Sequence, residues 1–427
     1  MKLIGPFKQL LTMAELPARG PLSDDRLEIR ANQGILVRDG KIEAIDDFQQ
    51  LEAGSHPKTI EYLNEDFVAL PGMIDVHTHI CWAGTRAGEY AMRLAGKSYT
   101  EIAAAGGGIW NTVKMTRQIP MQELAGITAN HARQLLEQGI TTIEVKSGYG
   151  LAVDQELKIL QAVAEAGKTS KADLIPTCLA AHMLPKDFDG DERKYLNQIL
   201  NELLPVVFKK GLSRRVDIFV DGTAFSVQTA KDYLLKAREM GFDLIVHGDQ
   251  FTTGAAQLAN ETGALSIDHL EAADDQEIAV LAGGNTIPVV LPGASVGLGM
   301  PFAPARRLLD AGTSLVIASD WNPGSAPMGN LLIQAAILSA AQKLTMAETW
   351  AALTCRAAQA LNLNDRGSLK KGNLADIMVF KTENYQDILY HQGYLPVERV
   401  WKNGKCAYKR TLIESNCDRF FEVQEND

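Results

Sequence analysis

Histidines at the ends of apolar runs are the residues of this sequence best suited to chemistry. The chain has eight histidines in 427 residues, and five of them close short apolar segments. These five are His77, His79, His182, His247 and His269. A neutral imidazole can bind a metal ion or accept a proton near neutral pH. Their placement therefore predicts an active site that is built from strand ends.

His77 and His79 stand two residues apart at the end of one apolar run. On a strand this spacing points both side chains to the same side, where they can chelate one cation. His247 and Asp320, which end two other runs, can complete the coordination. Three imidazoles and one carboxylate suit Zn²⁺ or iron (Fe²⁺/Fe³⁺), with a position left open for water. The metal would turn that water into a hydroxide nucleophile near neutral pH.

Each of these residues also has an ordinary structural interpretation. A His-x-His pair is often two polar residues at a strand end, and a single histidine such as His247 is more often a hydrogen-bonded core residue. Asp320 precedes Trp-Asn-Pro-Gly and alone would be a turn carboxylate. The joint placement favours the metal site, because independent core histidines would not all occupy strand ends.

Eight apolar runs that alternate with amphipathic helical segments supply these ends. The runs are GMIDVHTH (72–79), TTIEV (141–145), DLIPTCLAAH (173–182), VDIFV (216–220), FDLIVH (242–247), ALSIDH (264–269), TIPVVLP (286–292) and SLVIASD (314–320). Eight strands alternating with helices are typical of an α/β protein with a (β/α)8 TIM-like barrel, whose active sites lie at the carboxyl ends of the strands. A doubly wound sheet is the alternative, but no GxGxxG motif follows a first strand.

The two ends of the chain differ from this pattern. ILVRDGKIEAI contains an Asp-Gly turn at 39–40, and ERVWKNGKCAY contains an Asn-Gly turn at 403–404, both of which are strong hairpin signals. We therefore expect a small β-sandwich domain formed by the N- and C-terminal segments. It would comprise residues 1–70 and 361–427, around a barrel of residues 71–360.

Composition limits the partners. The chain carries 52 acidic and 42 basic residues, and its formal charge of −10 disfavours nucleic acid and anionic membranes as partners. The five cysteines form no CxxC pair, which fits a reduced, cytoplasmic setting. The N-terminus lacks the apolar core of a signal peptide, and the longest uncharged stretch (278–305) contains several prolines. A cytoplasmic protein acting on a small molecule is expected.

Seven segments of the sequence carry a resemblance to a known family. They are DVHTHICWAGTR (75–86), SYTEIAAAGGGIWNTVKMTR (98–117), EVKSGYGL (144–151), AAHMLP (180–185), VHGDQ (246–250), SIDHLE (266–271) and SDWNPGSAP (319–327). With them the chain resembles the amidohydrolase superfamily and, within it, the imidazolonepropionase family. That family opens the ring of 4-imidazolone-5-propanoate to give N-formimidoyl-L-glutamate in histidine degradation.

The resemblance implies a role for each matching residue. The metal ligands would be His77, His79, His247 and Asp320. The residues in contact with the anionic substrate would be Arg86, Tyr99, Tyr149, His182 and Gln250. The propionate or product end would be held by Asn322, Gly324 and Ser325. Two residues would be catalytic: Asp320 would transfer the proton, and His269 would polarise the carbonyl. The resemblance also implies a homodimer.

Gln250 is a departure from the family, because many members carry Glu at this position. An amide cannot shuttle a proton, so Asp320 or His269 must supply any general base. The same glutamine disfavours a deaminase, which uses His-x-x-Glu on this strand. VDIFVDG (216–222) contains no lysine, which disfavours a site with two metals bridged by a carboxylated lysine.

Two other functions stay open at this point. The first is a mononuclear hydrolase of another small cyclic amide or lactam that bears a carboxylate. Arg86 fits either substrate, since a guanidinium binds a carboxylate with two parallel hydrogen bonds. The second is a non-catalytic barrel that serves as a binding module. Such a protein would be expected to have lost metal ligands, whereas this sequence retains all four. The sequence does not decide between zinc and iron.

Overall fold

Strands of the computed structural model form three sheets. The structure describes residues 1–97, 101, 106–222 and 224–411, and every structural statement below concerns these residues. The strands before the barrel are β1 (Lys2–Phe7), β2 (Gln9–Leu11), β3 (Ile29–Arg30), β4 (Gln33–Arg38), β5 (Lys41–Asp47), β6 (Thr59–Tyr62) and β7 (Phe67–Pro71). The barrel strands are β8 (Met73–Asp75), β9 (Ile140–Lys146), β10 (Asp173–Ala181), β11 (Arg215–Val220), β12 (Asp243–Gly248), β13 (Ser266–His269), β14 (Ile287–Val290) and β15 (Val316–Ile317). The last strands are β16 (Ile377–Lys381), β17 (Val397–Lys402) and β18 (Lys405–Lys409).

Helices connect the barrel strands, and further helices lie in the segments before and after the barrel. Their bounds are Phe48–Ser55, Ala87–Leu94, Ile109–Gln118, Met121–Glu137, Val153–Thr169, Glu192–Gln198, Leu204–Lys209, Val227–Glu239, Ala255–Thr262, Asp275–Ala282, Pro292–Leu298, Ala305–Asp310, Leu331–Gln342, Met346–Leu353, Cys355–Ala360 and Gln386–Tyr390, with a 3₁₀ turn at Asp24–Arg26 and a π turn at Ile199–Leu203. The apolar residues of Val153–Thr169 show why they pack. Ile159, Leu160 and Val163 recur at the spacing of one helix face, and all three are buried.

The barrel is the predicted one. β8 to β15 are parallel, and each pairs with its neighbour in the sequence. Backbone hydrogen bonds beyond the regular strands close the ring. The N–H of His79 donates to the carbonyl of Trp321 at 3.0 Å, and the N–H of Asp320 donates to the carbonyl of His77 at 3.0 Å. The first and last strand ends are therefore held side by side, which confirms the (β/α)8 prediction and brings the HxH pair to Asp320.

Both predicted hairpin turns are confirmed. Asp39 and Gly40 (φ +50° and +81°) join β4 to β5, while Asn403 and Gly404 (φ +51° and +70°) join β17 to β18. Two successive positive φ angles match the twist of a tight hairpin. The outer sheets have the orders β5-β4-β1-β6 and β18-β17-β16-β7-β2-β3, so strands from both ends of the chain share the second one. We propose residues 1–70 and 361–427 as the limits of this domain and residues 71–360 as those of the barrel.

Several element bounds differ from the sequence prediction. The run TIPVVLP (286–292) stops being a strand at Val290, because Pro292 opens a short helix, where a missing N–H is tolerated. Two helical segments are also interrupted. In ERKYLNQILNELLPVVF (192–208) a π turn separates two α-helices, and Pro205 near the start of the second cannot donate a backbone hydrogen bond. Thr354, with φ −132° and ψ −92°, separates the helices Met346–Leu353 and Cys355–Ala360.

The described part of the chain contains no helix with the length and apolarity that crossing a membrane requires. Its four cysteines, Cys81, Cys178, Cys355 and Cys406, are free thiols.

Candidate active site

Three imidazoles and one carboxylate meet at the carboxyl end of the barrel. His77 and His79 follow β8, and His247 lies near the end of β12. One ring nitrogen of each lies within 4.8 Å of those of the other two. Asp320 Oδ1 lies 3.5 Å from His77 Nε2 and 3.4 Å from His79 Nε2, and all four side chains are buried. The structure thus brings the four predicted metal ligands together.

The environment of these atoms fits a metal ion. Among the described residues, the Nε2 atoms of His77 and His247 are buried and have no hydrogen-bond partner. A buried polar nitrogen without a partner is costly in free energy, and a bound cation would satisfy both lone pairs. Three nitrogen donors and one oxygen donor suit a divalent transition metal.

Burial sets the charge of the ligand histidines. It lowers the pKa of His79 and of His247 to about 3, so both are neutral at pH 7. For His77 the effect of burial is outweighed by the carboxylates of Asp268 and Asp320, which raise the pKa to about 9.

A buried charge cluster behind the metal site escaped the sequence analysis. It consists of Glu144, Lys146, Asp217 and Asp268, whose side chains are fully buried. Lys146 Nζ lies 2.8 Å from Asp217 Oδ2 and 3.0 Å from Glu144 Oε1. Burial opposes the charge of Lys146, but the carboxylates raise the pKa well above its usual range. Charged residues inside the apolar runs TTIEV, VDIFV and ALSIDH were the signal that could have revealed the cluster.

Two carboxylates of this cluster touch the ligand histidines. Asp268 Oδ2 lies 2.6 Å from His77 Nδ1, and Asp217 Oδ2 lies 2.9 Å from His247 Nδ1. Carboxylates in this position orient a metal-ligating imidazole and fix which of its nitrogens carries the proton.

His269, the predicted carbonyl-polarising residue, ends β13 beside the ligands. Its ring centre lies 5.8 Å from that of His77 and 5.4 Å from that of His247. His269 and Leu270 adopt φ +96° and +71°, a conformation that non-glycine residues rarely take. Backbone strain of this kind concentrates at functional sites, and here it turns the imidazole towards the ligands.

The loop after β15 is shaped by its own side chains. Asn322 Oδ1 accepts the backbone N–H groups of Gly324 and Ser325 at 2.7 and 2.8 Å. Ser325 Oγ donates to Asp320 Oδ2 at 3.1 Å. Asn322 and Ser325, which we predicted to hold the propionate end, therefore also fix the loop and orient Asp320.

Arg86 reaches this loop from the other side of the site. Its guanidinium is paired with Glu89, and a Cβ placed on Gly324 would lie only 2.0 Å from Arg86 Nη1. Glycine at position 324 is thus what permits the close approach. Arg86, Asn111 and Lys114 line a cavity of about 360 Å³. Arg86 thus contacts both this cavity and Gly324.

Tyr149 and His182 form an aromatic wall beside the metal ligands. The ring centre of His182 stacks 5.3 Å from that of His79, and Tyr149 lies 5.8 Å from His79. His182 Nδ1 donates to the carbonyl of Gly148 at 3.0 Å. Gln250 is buried two residues after β12. Tyr99, the remaining predicted pocket residue, lies outside the described residues.

Comparison with known proteins places the chain among hydrolases. A family model described as Amidohydrolase family matches residues 88–408. The curated imidazolonepropionase of Bacillus mycoides (strain KBAB4) is 40% identical over 343 residues, which cover 80% of this chain and 81% of the relative. That of Bacillus cytotoxicus is 40% identical over 349 residues, covering 81% and 82%.

Solved structures share the fold at low sequence identity. Atrazine chlorohydrolase TrzN from Arthrobacter aurescens TC1, complexed with zinc, matches with a TM-score of 0.70 at 16% identity and covers 97% of both chains. An adenosine deaminase from Xanthomonas campestris with bound zinc matches with a TM-score of 0.70 at 17% identity, covering 98% of this chain and 95% of its own. These likenesses establish the architecture alone.

Proposed function

The chain belongs to the amidohydrolase family, and we propose that it is an imidazolonepropionase, a hydrolase that opens 4-imidazolone-5-propanoate to N-formimidoyl-L-glutamate in histidine degradation. The observation that carries the proposal is the meeting of three imidazoles and one carboxylate at the strand ends. The 40% identity to curated imidazolonepropionases over four fifths of the chain supports the choice of substrate.

The residues that would hold the metal are His77, His79, His247 and Asp320. A bound divalent cation would lower the pKa of a water molecule and polarise the ring carbonyl. We propose that a carboxylate oxygen of Asp320 accepts the proton of the attacking water molecule and later donates it to the leaving ring nitrogen. Ser325 Oγ, 3.1 Å from Asp320 Oδ2, keeps this carboxylate in one orientation.

The remaining predicted residues bind and orient the substrate. His269 stabilises the negative charge that develops on the carbonyl oxygen. Arg86 holds the propionate through its Nη1 edge, which faces Gly324. Tyr149 and His182 form the wall that excludes water, and Gln250 contacts the ring as a neutral amide without taking a proton.

The metal is zinc or iron, because imidazole and carboxylate ligands accept either. We further propose that the protein is a homodimer and that it works in the cytoplasm. Light scattering on the purified protein tests the first statement, and fractionation of the source cells tests the second.

A steady-state assay with freshly generated imidazolonepropionate tests the function. We expect loss of substrate and formation of N-formimidoyl-L-glutamate by mass spectrometry, with one transition metal bound per chain. Dialysis against a chelator should abolish turnover, and adding back the metal should restore it. Turnover only of another carboxylate-bearing cyclic amide or lactam would favour the alternative hydrolase, and full activity without metal would contradict the mechanism.

A further inference from the structure

One ammonium group inside the barrel faces two carboxylate–histidine pairs at once. Lys146 Nζ lies 2.8 Å from Asp217 Oδ2 and 3.6 Å from Asp268 Oδ2. The same two oxygen atoms lie 2.9 Å from His247 Nδ1 and 2.6 Å from His77 Nδ1. Each oxygen is thus shared between the lysine and one predicted metal ligand.

We propose that Lys146 is a positioning residue of the metal centre, which holds Asp268 as the hydrogen-bond acceptor of His77 Nδ1 and keeps Asp217 Oδ2 2.9 Å from His247 Nδ1. An imidazole that donates from Nδ1 keeps the lone pair of Nε2 for the metal. The buried ammonium group of Lys146 therefore determines which ring nitrogen of His77 and of His247 is available to the metal. The inference rests on the metal site of the proposed function.

The third carboxylate of the cluster connects Lys146 to the HxH segment. Glu144 accepts from Lys146 Nζ through Oε1 at 3.0 Å. Its other oxygen, Oε2, accepts the backbone N–H of Thr78 at 3.3 Å, and Thr78 Oγ1 donates to the carbonyl of Glu144 at 2.6 Å. Thr78 lies between the two ligand histidines that follow β8. All three carboxylates around Lys146 therefore contact a different part of the metal site.

The burial of this cluster argues against a purely stabilising role. Lys146, Glu144 and Asp217 are 0% exposed, and Asp268 is 1% exposed. Buried ion pairs lose hydration that their attraction only partly restores, so well-packed apolar residues often stabilise a core as much or more. Four charged side chains in the middle of a barrel are better explained by the alignment of the ligands above them.

Lys146 also occupies the position where a second cation would bind. Ligand atoms of Asp217, His247 and Asp268 lie within 4.8 Å of one another, which is close enough to hold an ion. The ammonium of Lys146 stands beside both carboxylates of this group. It supplies the positive charge there, so the inference includes a stoichiometry of one metal per chain.

The test compares the metal affinity of the full-length protein with that of the variant Lys146→Met, which keeps an unbranched side chain of similar length and removes its charge. Competition with a chelator of known affinity should show metal binding that is about 10–100-fold weaker, the usual effect of losing a group that orients a ligand. The control is Lys158→Met. Lys158 Nζ donates to three backbone carbonyls, those of Thr116, Arg117 and Ile119, and touches none of the ligands. Its metal affinity should match that of the wild type.

A second measurement separates alignment from general loosening of the core. In metal-free protein labelled with ¹⁵N-histidine, the neutral ring of His247 should carry its proton on Nδ1 in the wild type, and Lys146→Met should shift this balance towards protonated Nε2. If that variant does not fold, Asp268→Asn takes its place, because it removes the negative charge of the group that accepts from His77 with little change in shape. We expect the same 10–100-fold loss of metal affinity.

Different results would contradict the proposed function and the proposed role of Lys146. A wild-type protein that binds no metal would overturn the proposed function itself. Wild-type metal binding, together with an affinity within twofold of it in folded Lys146→Met or in Asp268→Asn, would overturn the role of Lys146 alone. More than one tightly bound metal per wild-type chain would overturn the assigned stoichiometry.

Discussion

Glu89 holds Arg86 through a single oxygen atom, since Oε2 lies 2.9 Å from Arg86 Nε and 2.8 Å from Arg86 Nη2. The same carboxylate accepts the backbone N–H of Gly108 at 3.0 Å and the side-chain amide of Asn111 at 3.2 Å. The inner edge of the guanidinium is therefore occupied, and Nη1 faces Gly324. The arginine is oriented before an anion arrives, which reduces the entropy lost on binding.

Arg86→Ala should raise KM for imidazolonepropionate by about 10–100-fold with a smaller change in kcat. The loss corresponds to a charge-assisted hydrogen bond of about 1.5–3 kcal/mol that is made in both the ground state and the transition state. Steady-state kinetics measure both constants. Arg133→Ala is the matched control, because Arg133 is exposed and paired with Glu137. An unchanged KM would remove Arg86 from the substrate site.

Asp320→Asn should lower kcat by at least about 100-fold, since an amide cannot accept the proton. It should also weaken metal retention, because one of the four ligands loses its charge. Turnover and metal content after gel filtration measure the two effects. Asp310→Asn, an exposed position whose carboxylate pairs with Arg306, should change neither. Retained activity in Asp320→Asn would exclude Asp320 as the residue that moves the proton.

Local features of the sequence predicted most of the barrel and its ligands. The strands are short apolar runs, and five of the eight runs end in a predicted site residue, namely His79, His182, His247, His269 or Asp320. The HxH pair, for example, needs only the alternation of a strand to place His77 and His79 on one side. Turn residues likewise mark the hairpins at Gly40 and Gly404 without reference to the rest of the chain.

The supporting charges could not be predicted in the same way. Lys146, Asp217 and Asp268 are distant in sequence, and they meet only because β9, β11 and β13 are arranged in one closed ring. The orientation of Arg86 is an intermediate case. Glu89 stands three residues after it, a spacing that pairs side chains on a helix, but the contact with Gly324 depends on the fold.

Glu156→Gln should destabilise the loop that carries Tyr149. The buried carboxylate of Glu156 accepts three backbone N–H groups, those of Gly150 and Leu151 at 2.7 Å each and that of Gly148 at 3.1 Å. An amide turns one acceptor into a donor that faces these N–H groups, so the free energy of unfolding should fall by about 1–3 kcal/mol. Urea unfolding measures this loss.

The kinetic consequence of Glu156→Gln should be a higher KM, because Tyr149 stands against His79 in the substrate wall. Glu165→Gln on the same helix is the control, since Glu165 is exposed and pairs only with Lys168 among the described residues. Equal stability of the two variants would show that the loop does not depend on Glu156.

His131 should make the stability of the protein fall as the pH drops below about 6.5. Its ring stacks 4.2 Å from that of Trp82, and Nδ1 lies 2.9 Å from the carbonyl of Ile80. Burial lowers the pKa of His131 below the usual value of 6.5. His131 therefore binds a proton near pH 6.5 in the unfolded chain, whereas in the folded chain it is protonated only at a lower pH. The contribution of His131 is fully present above pH 6.5 and is lost as the pH falls.

The comparison of wild type with His131→Gln isolates this contribution from those of the other histidines. Urea unfolding at pH 7.5 and pH 5.5 should show a smaller loss of stability in the variant, with a difference of at most about 1.4 kcal/mol for each pH unit that lies between the two pKa values. His391→Gln is the control, because His391 is exposed. If wild type and His131→Gln lose equal stability on acidification, the titration of His131 is not coupled to folding, and the stacked ring must be protonated as readily as in the unfolded chain.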